Sequence, residues 1–423
     1  MVGDRATEPV LADRATDPPP NEAGPSAEDS HPATGSVRWQ GRLAWLMVLL
    51  VTSAALWVIC WTISPARASG DTFWYTKAAF QIAGSHDDEA AQSAATFTVA
   101  VAGHGSVAGW IAAVHTVSPR YQAIFAVRPF FPASGALLIP VFGSDAMIVS
   151  TFVGGVLVGV VLGLFVLRVT RSRWASLAAA VLVYVLPSGR YLALVYADGW
   201  MLTLWVACLA VASLYLLEGR RAYLLALGAL AGLLALTKSA NAVVLAVTLV
   251  GTALASVVVR GSERRRALSL AAVGSGVAGF DVVGFALLGM PGVTETIQDM
   301  FTGHFTRPDV PSPLIRLIQY DVRSLRTWIR GLVGNPITIV VVAVAATKLA
   351  TARTLWAIIW LLGAASTILV VLLHPVGSEI PRLLIPIWPT VSIGLALWLP
   401  TLARSWRQVV SHGRAHRQVP GAD

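Results

Sequence analysis

Uncharged apolar runs recur along most of this chain, and a helix needs roughly 20 such residues to cross a bilayer. Ten segments qualify: residues 43–63, 147–167, 174–187, 199–217, 222–236, 240–259, 267–288, 332–347, 354–373 and 383–401, of which the third, fifth and eighth are short. Hydrophobic residues make up 56% of the sequence, charged residues only 13%, and mean hydropathy is +0.68. The expected fold class is therefore an all-α integral membrane protein of about ten transmembrane helices, with a long first external loop that carries interfacial helices.

Charge placement gives an independent reading of topology, because short cytoplasmic loops are enriched in Lys and Arg. With the N-terminus inside, the cytoplasmic turns carry Arg168, Arg171 and Arg173; Arg220 and Arg221; Arg260, Arg264, Arg265 and Arg266; and Lys348 and Arg353. The tail adds Arg404, Arg407, Arg414 and Arg417, so both termini are expected in the cytoplasm and the protein in the plasma membrane. The net charge of +9 follows from this orientation. Nucleic acid is not an expected partner, since no basic face with interleaved aromatics stands on a soluble domain.

Residues 1–40 mix Asp, Glu, Arg, Ser and Pro without hydrophobic periodicity, which predicts a disordered cytoplasmic tail. Residues 41–403 form the membrane domain, and 404–423 a basic tail. Ala66-Arg-Ala68 looks like a signal cleavage site, but the leader before it is too long and the apolar run too extended for a signal peptide. Cys60 and Cys208 fall within expected spans and read as packing residues. No phosphate-cradling Gly-rich loop, zinc-binding helix signature or nucleophile elbow occurs, which leaves the external loops to supply any chemistry.

Two external loops are long, 64–146 and 290–331. The first opens with Ser69-Gly-Asp-Thr-Phe-Trp-Tyr75 just past the first span. On a short interfacial helix Asp71 and Tyr75 share a face, with Phe73, Trp74 and Phe80 as membrane anchors. His86-Asp-Asp-Glu89 follows, a group able to hold a divalent cation or to stand as a solvated helix start; no cofactor is required. Arg128-Pro-Phe-Phe-Pro132 then leads into an apolar stretch too short to cross, in which Pro129 and Pro132 should prevent a continuous helix. In the second loop, Arg316, Arg323, Arg326 and Arg330 around Tyr320 and Trp328 read as an amphipathic interfacial helix, a contact for membrane lipids or a gate.

The order of these features resembles the GT-C superfamily of membrane glycosyltransferases, which includes the protein O-mannosyltransferases and aminoarabinose transferases, over residues 42 to about 403. The resemblance rests on Asp71, Tyr75 and Ala78-Ala79 after the first span, Arg128-Pro-Phe-Phe-Pro132 and Phe142-Gly143 before the second, Leu236-Thr-Lys-Ser239 in the middle, and Pro381-Arg-Leu-Leu-Ile-Pro386 with Pro389 near the last. Two departures stand out: Arg128 replaces the family's usual His, and its second loop carboxylate has Asp87, Asp88 and Glu89 as nearest counterparts. The resemblance implies a polyprenyl-phosphate sugar donor used at the outer face, with the acceptor left open. Asp71 is then the expected general base, and Tyr75, Asp88, Arg128, Lys238, Asp281 and Arg382 the expected substrate-binding residues.

Each of these has a plainer reading. Asp71 could cap a loop helix, Lys238 and Arg382 could snorkel at the membrane boundary, and Glu379 could serve only as a surface partner of Arg382. Asp198 reads as a helix N-cap. Asp281, deep in the seventh run, reads as having a bundle-internal partner or a functional role, or as lying near the interface if the run ends early. His104, His115, His304 and His374 lack ligand spacing and read as surface residues. A transporter or flippase of lipid-linked sugars, or a non-catalytic relative, would share the span pattern.

Overall fold

The computed structural model describes residues 34–65, 67–258, 262–374 and 379–402. Most of both expected tails, Ala66 of the cleavage-like motif, and Arg260, Arg404, Arg407, Arg414 and Arg417 lie outside the described residues. The chain divides into two units, Met1–Ala44 and Trp45–Asp423. Within the first, helix begins at Thr34, inside the stretch expected to be disordered. Everything that follows concerns the second unit.

All regular structure among the described residues is helical. Five helical stretches are long and apolar enough to span a bilayer: Gly41–Ile63, Ile139–Thr170, Asp198–Glu218, Glu263–Leu287 and Leu355–Leu373. This is a multi-pass membrane protein. The ten-segment expectation needs correction in length: Arg173–Val185, Arg221–Ala235, Ser239–Ala255 and Ile387–Leu402 are apolar helices but shorter than the five. Residues 332–347 do not form one straight segment either. Pro313–Gly331 and Pro336–Thr351 meet at 92°, and count as a sixth span only if taken together as a broken one.

Close helix packing starts from glycine spacing. Gly155, Gly159 and Gly163 recur every four residues on helix Ala146–Thr170, leaving one side without side chains. Leu49, Ser53 and Trp57 recur at the same interval on the first helix and fill that side: a Cβ at Gly155 would stand 2.4 Å from Trp57, at Gly159 2.4 Å from Ser53, and at Gly163 2.8 Å from Leu49. The Trp57 indole donates to the Leu192 carbonyl at 2.8 Å, and the Tyr184 hydroxyl to the Gly155 carbonyl at 2.7 Å. Val51, Val58 and Ile59 on the other side of the first helix stay exposed, as lipid-facing side chains do.

The first loop is itself folded. Helices Gly70–Ile82, Asp87–Ala102, Val107–Thr116, Pro119–Ala126, Phe130–Ala136 and Ile139–Phe142 occupy it. Phe73 and Trp74 do not anchor in a membrane surface as expected. They are buried in an aromatic core, with Phe73 stacked on Trp110 at 5.1 Å and Tyr75 edge-on to Phe125 and Phe131, each at 5.4 Å. Pro132 does not interrupt its helix, because it falls in the first turn of Phe130–Ala136, where no intrahelical N–H donor is required.

Gly159→Leu should separate the first helix from its neighbour and lower the unfolding temperature of the detergent-solubilised protein, since forced overpacking costs about 1–3 kcal/mol or more. Gly228 has no heavy atom within 4 Å of a built Cβ, so Gly228→Ala should leave that temperature unchanged or slightly raised. Equal sensitivity at the two positions in a thermal melt would contradict this packing.

Candidate active site

Four chain segments converge on one guanidinium. Asp71 lies in the first turn of Gly70–Ile82, whose start is fixed by Thr72: its hydroxyl accepts from the Ser69 N–H at 3.1 Å and donates to the Val195 carbonyl at 3.0 Å. That second bond brings the helix against the segment before Asp198, and the Val195 N–H returns a bond to the Arg67 carbonyl at 3.0 Å. Asp198 opens helix Asp198–Glu218 as its first residue; the cap position belongs to Ala197. Lys238 precedes helix Ser239–Ala255, and Arg382 lies on the short helix Ile380–Leu383, started by Pro381.

Arg382 uses every edge of its fork. Nη2 reaches Asp71 Oδ2 at 2.8 Å, Nε reaches Asp198 Oδ2 at 2.6 Å, and Nη1 reaches Glu379 Oε2 at 3.2 Å. Its planar face lies over the Tyr196 ring, 4.2 Å from the centroid. The other Asp198 oxygen takes Lys238 Nζ at 2.5 Å. The Asp198 side chain is 0% exposed, so it is an ionised group tolerated only because two cations meet it. Arg128 joins from a further direction, with Nη1 3.4 Å from the Tyr75 hydroxyl and Nε buried without a partner among the described residues. The adjacent Phe130 N–H donates to the Leu236 carbonyl at 3.2 Å, which ties the Arg128 segment to the Lys238 segment.

Burial alone would raise the Asp71 carboxyl; the Arg382 guanidinium, assisted by Arg128 and Lys238, outweighs it and holds the group below its ordinary 3.8. Lys238 goes the other way. Burial and the nearby Arg382 and Arg128 charges depress its ammonium below the usual lysine value despite the Asp198 partner. His374, which follows the helix Ile368–Leu373, is pushed down to about 4 by burial and then by Arg128 and Lys238, and its Nδ1 has no partner among the described residues. Three cations thus face two carboxylates, Asp71 and Asp198, with Glu379 at the more exposed margin. Arg128, whose guanidinium meets the Tyr75 hydroxyl rather than a carboxylate and whose Nε has no partner among the described residues, is the cation able to take a further anion.

Of the residues singled out from sequence, Asp71, Tyr75, Arg128, Lys238 and Arg382 come together here. Asp88 does not: it is exposed in the first turn of Asp87–Ala102, whose neighbour Asp87 pairs instead with Lys77 at 2.5 Å and Gln81 at 2.7 Å. Asp281 is also elsewhere, buried in a π-helical turn, Phe280–Gly284, with Oδ1 unpartnered among the described residues. Lys238 and Arg382 are not snorkelling, since their side chains are only 14% and 11% exposed. Asp198 carries more of the site than an N-cap would, and Tyr196 and His374 join it. The only sequence sign for Asp198 is a carboxylate at the mouth of an otherwise apolar run. His104 and His115 are exposed, while His304 contacts Asp299 at 3.0 Å and Tyr121 at 4.3 Å between ring centroids. No cluster of three or more His, Cys, Asp or Glu side chains among the described residues is arranged to hold a metal ion.

The two long loops meet beside the cluster. Arg120 pairs with Glu295 at 2.7 Å and Asp309 at 3.0 Å, and lies over the Phe305 ring at 4.4 Å. No family model matches the chain, and no curated protein matches it in sequence.

Removing Arg382 should be costly. Arg382→Gln leaves Asp71 without its ion pair and Asp198 with Lys238 alone, and a broken buried pair typically costs about 3–5 kcal/mol. A thermal melt in detergent should show this loss, and Asp198→Asn should show one of similar size, because it leaves Lys238 and Arg382 buried without the carboxylate they share. For Asp71 the pH sign follows from its depressed pKa. The pair contributes stability that is fully present above the ordinary aspartate value of 3.8 and is lost as pH falls through the lowered one, so the destabilisation by Asp71→Asn should shrink as pH falls below 3.8 and vanish only in stronger acid.

Proposed function

We propose that this protein is a GT-C-type glycosyltransferase that moves a sugar from a polyprenyl-phosphate donor to an acceptor at the outer face of the plasma membrane. In this reading the chain crosses ten times, with both termini cytoplasmic and the folded first loop outside. The polarity of helix Asp198–Glu218 supports that orientation. Asp198 marks one end with the site, while Glu218 at the other pairs with Arg168 at 2.7 Å and Arg220 at 3.2 Å, and Arg266 donates to the Leu216 carbonyl at 2.7 Å. Basic residues gather at the end expected inside.

The observation that carries the reading is the ion pair between Asp71 and Arg382 at 2.8 Å, joined through Asp198 to Lys238. An inverting transfer needs a carboxylate to take the acceptor proton and cations to receive the departing phosphate. Both are present within one network. As the acceptor oxygen attacks the anomeric carbon, its proton passes to Asp71, the bond from that carbon to the phosphate oxygen breaks, and the electron pair leaves on the lipid phosphate. Arg382, Lys238 and Arg128 stabilise that charge.

Asp71 lies against a cation that the donor phosphate would also engage. Donor binding draws Arg382 toward the phosphate and weakens its hold on Asp71, whose carboxyl rises toward the ordinary range and becomes a stronger base. Coupling of this kind arms the base only when the donor is in place.

The protein in liposomes, given a panel of polyprenyl-phosphate sugars, should release the lipid phosphate as acceptor is glycosylated. Asp71→Asn should lower transfer by about 10²–10⁴-fold while donor binding survives, the range of a positioned general base. Lys238→Met should chiefly weaken donor binding. Turnover by Asp71→Asn at the parent rate would remove Asp71 as base, and no turnover with any donor would remove the transferase reading. One observation favours transport instead: the buried Asp281 carboxylate within the helix Glu263–Leu287, whose Oδ1 has no partner among the described residues. Movement of intact lipid-linked sugar across the bilayer without phosphate release would put that reading first.

A further inference from the structure

Helix Pro313–Val333 presents three longitudinal rows, only one of which is covered among the described residues. Pro313, Leu317, Asp321, Ser324 and Trp328, spaced four, four, three and four residues apart, are its buried or half-buried positions among the described side chains. They turn toward Val293–Thr302 and Ile368–Leu373, the helices it packs against, the second of which leads directly to His374 beside the ion-pair cluster. Leu314, Ile318, Val322, Leu325, Ile329 and Val333 form the second row, each more than half exposed. Arg316, Arg323, Arg326 and Arg330 form the third, roughly 110° further round at 3.6 residues per turn. All four arginines are exposed, and none pairs with a carboxylate among the described residues.

A water-facing helix has no use for six uncovered aliphatic side chains in register, and a membrane-crossing helix has none for four arginines. A helix lying in the bilayer surface accommodates both, with apolar residues in the acyl region and guanidiniums at the phosphates. The direction of the next helix agrees. Pro336–Thr351 is apolar and leaves at 92°, so a crossing Pro336–Thr351 lays its predecessor along the membrane plane. We infer that Pro313–Val333 is a docking surface for anionic lipid in the leaflet on the side of the ion-pair cluster, its apolar row inserted and its arginine row holding phosphate-bearing headgroups. This surface is independent of the transfer chemistry.

Charge complementarity selects the lipid class. A zwitterionic headgroup offers each guanidinium a phosphate but cancels it with its own ammonium, whereas an anionic one does not. Each basic residue at a membrane surface favours anionic lipid by about fivefold at low to moderate salt. Because the helix also contacts the elements beside the cluster, lipid held by it lies near the place where a membrane-borne substrate would approach.

The experiment uses the full chain in nanodiscs. Ile318→Cys, or Leu325→Cys as a second position, carries an environment-sensitive fluorophore; Cys60 and Cys208 are buried, which directs labelling to the new thiol. Equal mole fractions of brominated phosphatidylglycerol or brominated phosphatidylcholine then serve as quenchers. Quenching at both positions is expected, stronger with the anionic lipid by at least about fivefold, and Arg323→Gln/Arg326→Gln should reduce that preference while quenching persists. Equal quenching in the parent would overturn the selectivity. A label that neither lipid quenches would overturn the docking itself and assign the apolar row to a protein partner or a second copy of the chain.

Discussion

A carboxylate sealed from water holds the site together. Asp198 is fully buried, and an uncompensated charge there would cost several kcal/mol, on the order of what a whole domain has to spare. Lys238 and Arg382 compensate it from segments 40 and 184 residues away. Their position is therefore imposed by electrostatics as much as by helix packing. Arg382, once fixed by Asp198, has its outer nitrogens left for Asp71 and Glu379. The order of dependence runs from Asp198 outward, and the group proposed to do chemistry is the last to be positioned.

Packing elsewhere serves that arrangement. The first helix is seated by Leu49, Ser53 and Trp57 against three glycines, which determines where the chain leaves it. From that exit only a few residues lead to Asp71, and two hydrogen bonds made by the Val195 backbone, one from the Thr72 hydroxyl and one to the Arg67 carbonyl, lock them beside Asp198. The aromatic core around Phe73, Tyr75, Phe125 and Phe131 makes the first loop a rigid support. Tyr75 belongs to both systems, since its ring packs in that core and its hydroxyl meets Arg128.

Much of this was legible in the sequence for a simple reason: a charge beside a long apolar run is expensive to place and therefore conspicuous. Asp71, Lys238 and Arg382 stand out on that ground, and they meet. Asp198 has the same signature but also a routine role at a helix start, and nothing local distinguishes a capping carboxylate from one about to be buried by residues far along the chain. Asp88 looked equally conspicuous within an acidic run, yet a run of charges solvates itself and stays at the surface. The spans were legible as helices and less so as crossings, because run length measures apolarity while the bend after Gly331 is set by Gly334, Asn335 and Pro336, which the hydropathy pattern passes over. The glycine triplet was available as spacing alone; its partner row is visible only once the two helices are set side by side.

The distribution of the four ionic partners along the chain also dictates a schedule. Synthesis runs from the N-terminus, so Asp71 and Asp198 reach the membrane first, Lys238 follows, and Arg382 arrives only with the closing helices. Until then the nascent protein contains an acid pair faced by Arg128 and one ammonium, and the cluster stays unlocked. Arg382 acts as a keystone, and the centre becomes whole only when the chain has been made through the helix that carries it.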